Sequence, residues 1–99
     1  MTQHKTLLIQ VRRPDDPMEE HERQCIEQRL AGFATALEPR NIFAQKPSTD
    51  WLRDYDAVII GGSGRFSVQD PRSANWLGGL RHLLDGILTL NLPGFGICF

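Results

Sequence analysis

Asp56-Ala57-Val58-Ile59-Ile60-Gly61-Gly62-Ser63-Gly64 sets four apolar residues in a row directly before a cluster of glycines. An unbroken aliphatic run, rather than an alternation of apolar and polar residues, marks a strand covered on both faces, which is the situation of a central parallel strand. The glycines predict a backbone that turns sharply at the carboxyl end of that strand. Lacking Cβ atoms, they let backbone amides approach a bound group closely.

The neighbouring segments supply what such a strand needs on either side. Upstream, Thr6-Leu7-Leu8-Ile9-Gln10-Val11-Arg12 reads as a second buried strand, ended by Pro14-Asp15-Asp16-Pro17. Asp16 stands at an N-cap position, with Pro17 at the first helical position and Glu19 three residues on, as in a capping box. Ile26, Leu30, Phe33 and Leu37 then recur at helical spacing, so the helix is expected to run on until Pro39 stops it. Asn41-Ile42-Phe43-Ala44-Gln45 is a strand candidate, and Ser48-Thr49-Asp50-Trp51-Leu52-Arg53 a single helical turn capped by Ser48 or Thr49. Downstream, Asp70-Pro71 opens a second helix whose Trp76, Leu77, Leu80, Leu83, Leu84, Ile87 and Leu88 keep a 3.6-residue period. Asn91-Leu92-Pro93 breaks it before the apolar strand Gly94-Phe95-Gly96-Ile97-Cys98-Phe99.

Strands alternating with helices in this way require crossover connections and therefore a parallel sheet, which makes the class α/β. Ligands of such sheets collect beyond the carboxyl ends of the strands, where both Gly61–Gly64 and Cys98 fall. Ninety-nine residues suffice for one domain at most. Eleven basic against twelve acidic residues leave a net charge of −1, and the basic residues form no stripe, which argues against a nucleic-acid partner. No run approaches the roughly 18 apolar residues of a membrane span, and the amino terminus lacks the pattern of a secretory leader. A cytoplasmic protein with no membrane partner is expected. Cys25 and Cys98 lie far apart without CxxC spacing, which suits free thiols better than a disulfide or a metal site, and no metal or organic cofactor is implied. Cys25, on the amphipathic helix, is assigned no function.

Cys98 directly follows a buried strand in which Gly94 and Gly96 are small, the layout of a nucleophile elbow, and is the candidate nucleophile. Its bland alternative is a buried small residue at a strand end. If the thiol attacks a carboxamide, the tetrahedral oxyanion needs backbone donors. One could come from the Gly61-Gly62-Ser63-Gly64 loop and another from the Phe99 amide. The same loop could instead cradle a phosphate, with Ser63, Arg65 and Ser67 assisting, as in a flavodoxin-like mononucleotide module.

Taken together, Tyr55–Val68 and Pro93–Phe99 resemble the triad-type (class I) glutamine amidotransferases, most closely their stand-alone GMP-synthase-like members. The resemblance covers nearly the whole chain. It implies a flavodoxin-like three-layer fold, a parallel sheet with helices on both faces. It also implies glutamine as substrate, Cys98 as the residue forming a glutamyl thioester, Gly62 and Phe99 as oxyanion donors, and Gly61, Ser63 and Gly64 as the substrate loop. Ammonia would pass to an acceptor-activating domain or partner chain. The glycine closing the family's G-x-C-x-G would be residue 100, and the family's His and Glu have no counterpart, since His4, His21 and His82 lack the His-x-Glu pattern. Residues 1–99 therefore read as the amino-terminal half of one such domain, requiring the remainder of that domain for catalysis. Related cysteine peptidases and chaperone-like proteins share the layout and form a further alternative.

Overall fold

The computed structural model describes residues 4–13, 15–33, 35–62 and 74–96, of which 74–76 by backbone alone. In chain order the elements are β1 (His4–Gln10), α1 (Met18–Leu30), β2 (Thr35–Asn41), a 3-10 turn (Thr49–Leu52), β3 (Ala57–Ile60), α2 (Ala74–Thr89) and β4 (Gly94–Gly96). The four strands form one all-parallel sheet in the order β2-β1-β3-β4, the arrangement of the first four strands of a flavodoxin-like doubly wound sheet. The class is α/β, as the alternation of segments predicts.

The pleat of β1 sorts the two faces. Leu7, Ile9 and Val11 point to one side, and the register that sets Leu7 beside Val58 and Ile9 beside Ile60 continues that face onto β3. Leu80, Leu83 and Ile87 of α2, with Trp51, Leu52 and Tyr55 from the 3-10 turn and its sequel, close over it as the main core. Leu7, Ile9, Leu52 and Leu83 are among its fully buried side chains, each contributing about 1.5–3 kcal/mol. Gln10 faces the other way, and its Nε2 donates to the Glu19 carbonyl of α1 at 2.8 Å, so helices flank the sheet on both sides.

The local starts and stops follow side-chain chemistry. Asp16 caps α1 as expected, its Oδ1 accepting from the Met18 N–H at 2.9 Å, and Pro17 is already in helical conformation. The reciprocal half of the capping box is replaced, because the Glu19 carboxylate turns to the side-chain amide of Asn41 on β2. Ser48 caps the 3-10 turn, accepting from the Asp50 N–H.

Three expectations are corrected. The first helix ends at Leu30, and Thr35–Asn41 forms β2 in a continuous seven-residue register with β1. Leu37 thus lies in a strand and Phe33 is exposed, although both keep helical spacing with Ile26. A full ladder, reinforced by the 2.8 Å hydroxyl contact of Thr6 with Thr35, outweighs that spacing. Of Asn41–Gln45, expected as the strand, only Asn41 belongs to one, as the end of β2, and the rest is a turn in which the Ala44 and Gln45 amides both donate to the Asn41 carbonyl. In α2, Leu84 and Leu88 point outward rather than into the core. The expected helix start at Asp70-Pro71 lies outside the described residues. No helix among those described is long and apolar enough to cross a membrane.

Candidate functional site at the strand ends

From β1 the chain runs through α1 to β2 on one side, and from β3 through α2 to β4 on the other, so the topological switch lies between the carboxyl ends of β1 and β3. Gly61 and Gly62 emerge there. The Gly61 N–H continues the ladder by donating to the Ile9 carbonyl at 2.9 Å. The Gly62 N–H is the next donor along the chain, and it donates to Glu22 Oε2 at 3.0 Å.

Glu22 projects from α1 and is only 9% exposed. Its carboxylate gathers three donors from two other parts of the chain. Besides Gly62, the Arg12 guanidinium donates to Oε2 at 2.9 Å and Gln10 Nε2 to Oε1 at 3.3 Å. Arg12 is itself buried and lies 3.7 Å from Asp16, which shares its charge. Its Nε has no hydrogen-bond partner. Asn41 closes the network on the β2 side by donating to the Arg12 carbonyl at 2.6 Å. A carboxylate with a guanidinium and an amide on it meets the requirement that buried charge be paired and hydrogen-bonded.

The fit of Gly61 is equally specific. A Cβ built on it would stand 2.5 Å from Glu22 Oε1 and 2.7 Å from its carboxyl carbon, so a larger residue there would push the Glu22 carboxylate out of this position. Beside the network, between α1 and the end of β2, lies a polar cavity of about 250 Å³ whose walls include Gln10, Glu19, Arg23 and Asn41.

β4 pairs with β3 in the parallel register Ile60↔Gly96, so both strands point to the same end of the sheet. Ser63, Gly64, Cys98 and Phe99 lie outside the described residues. The three histidines are dispersed. His4 pairs with Asp56 at the amino end of the sheet, His21 lies 3.5 Å from Cys25 on the exposed side of α1, and His82 lines a groove with Thr49, Asp50 and Arg53. Among the described residues no three His, Cys, Asp or Glu side chains group to hold a metal ion.

Glu22 and Arg12 are the site residues that motif reading passes over. The signal was present: Glu22 stands four residues before Ile26 on the apolar stripe of α1, and Gln10 interrupts the aliphatic run of β1. A polar residue at a core-facing position needs a partner, and these two find each other. The amide that the family resemblance gives to the substrate is in this chain donated to a carboxylate of its own. No protein-family model, curated protein or solved structure matches the chain, which leaves the residues themselves as the basis for a functional reading.

Proposed function

We propose that the chain carries the nucleophile half of a class I glutamine amidotransferase. The observation that carries this reading is the pairing of β3 with β4 in parallel register. Through it the glycine turn after Ile60 and the strand leading to Cys98 run to the same end of the sheet, beside the switch point. The Cys98 thiolate attacks the side-chain carboxamide carbon of glutamine, forming a C–S bond. The tetrahedral oxyanion is met by backbone amides of the glycine turn and of Phe99. Collapse breaks the C–N bond, and the nitrogen leaves as ammonia after taking up a proton through a His held by a Glu, both supplied from outside residues 1–99. Water then hydrolyses the glutamyl thioester to glutamate and returns the thiol.

The deciding experiment is an intact-mass measurement on the natural protein before and after treatment with a glutamine chloroketone analogue, with excess glutamine as protectant. One glutamine-protected adduct mapping to Cys98 is expected. Labelling that ignores glutamine, or that favours Cys25, overturns the proposal.

A further inference from the structure

We propose that Glu22 is the positioning residue of the glycine turn, an inference that rests on the amidotransferase reading. Consecutive glycines give a turn more conformational freedom than any other pair of residues, and a site built on backbone amides needs that freedom removed. In β3 the ladder fixes the backbone as far as the Gly61 N–H, which donates to Ile9. Beyond it no strand among the described residues pairs with Gly62, and the bond the Gly62 N–H makes is to a side chain forty residues away in sequence.

That side chain is itself immobilised. Arg12 and Gln10 hold its two carboxylate oxygens, and the bare Cα of Gly61 packs against Oε1, where a Cβ would displace the carboxylate. Burying an ion pair is a poor way to gain stability, since apolar residues of similar volume commonly do as well or better. What the pair adds is direction. A charge-assisted bond from a rigid carboxylate sets the plane of the Gly61–Gly62 peptide at the start of the turn. Gly62 is thereby committed to holding the turn rather than to binding the oxyanion. Two like charges drawn to a single amide repel one another, so one amide does not serve a carboxylate and an oxyanion together.

The test compares wild type, Glu22→Gln and Glu22→Ala in the natural full-length protein with two readouts. The first is hydrogen exchange at the Gly62 amide, with the Gly61 amide as internal reference. The second is the rate of glutamine-protected alkylation of Cys98 by the chloroketone. Glu22→Ala should release Gly62 but not Gly61, and slow alkylation by about ten- to a hundredfold, the cost of misplacing groups by about an ångström. Glu22→Gln keeps an acceptor of the same size with a bond of about half the strength, and should fall between the other two in both readouts. That ordering is one a general loss of stability would not produce, because Gly61 reports stability separately. Should Glu22→Ala fail to fold, the Glu22→Gln step decides alone. Alkylation unchanged or accelerated while Gly62 loses protection overturns the positioning role and leaves the amidotransferase reading standing. Wild-type protein without any glutamine-protected adduct overturns both.

Discussion

Gly78, Gly79 and Gly86 follow one another along α2, yet they answer to different constraints. A Cβ on Gly78 would meet nothing within 4 Å, whereas on Gly79 it would lie 2.9 Å from Pro47 Cγ, and on Gly86 2.8 Å from Leu52 Cδ1. Read from the sequence alone, all three carry the same propensity cost of roughly 1 kcal/mol against alanine. In the fold two of them are the points where the helix comes close to its neighbours. Gly78→Ala should therefore stabilise the protein by about 0.5–1 kcal/mol, while Gly86→Ala, facing a fully buried Leu52, should destabilise it by about 1–3 kcal/mol. Urea midpoints of the two variants check this, and equal shifts of one sign would contradict it. The same distinction governs legibility at the site. Gly61 and Gly62 stand out in the sequence as a turn, but the reason for Gly61 is a carboxylate from α1, and nothing short of the folded arrangement brings residue 22 to residue 61.

Among the elements, β2 shows where local pattern and tertiary pairing part. The spacing of Ile26, Leu30, Phe33 and Leu37 is helical, and Pro39 looks like a helix stop. The chain instead leaves the helix at Ala31 and lays Thr35–Asn41 along β1. A proline inside a strand is tolerated at a sheet edge with its nitrogen turned from the ladder, which is β2's place. By contrast β1, β3 and the 3-10 turn were legible because their patterns are short and bounded by proline or glycine. The face of β2 carries Glu38, which accepts from the buried Tyr55 hydroxyl at 2.5 Å, tying the approach to β3 back across the sheet. Burial, and then the bond to the Glu38 carboxylate, raise the Tyr55 pKa above its ordinary 10.0. The native state thus holds that proton more tightly than the unfolded chain does. Its contribution is complete below pH 10.0 and is lost as pH rises through the raised value. Tyr55→Phe should cost about 1 kcal/mol near neutral pH, with the gap to wild type closing in alkali. A gap independent of pH up to the alkaline limit of folding would refute this.

At the scale of the molecule, the parallel α/β class follows from the order of segments, whereas the strand order β2-β1-β3-β4 needed the contacts. Candidate-site legibility divides in the same manner: the glycine turn was visible, its Glu22–Arg12 support was not, and Cys98 stands outside the described residues. The side of the sheet at β4 is strongly apolar. Phe95 is 68% and Leu88 78% exposed, and they border a groove of about 420 Å³ formed with Ile60, Leu84, Ile87 and Leu92. Contiguous apolar surface of this kind drives association. A polypeptide of residues 1–99 should therefore sediment as concentration-dependent oligomers, and Phe95→Lys with Leu88→Lys should shift it towards monomer. A monomeric wild-type 99-mer at high concentration would rule this out.

The contrast between the two outer strands carries a last implication. On one flank β2 has Pro39, a residue with no amide hydrogen to offer a newcomer, while on the other β4 is bordered by apolar side chains. The sheet is consequently a one-sided template, closed to further strands at β2 and receptive at β4. Whatever lengthens it, be it more of the same polypeptide or a second copy, is steered to the β4 flank.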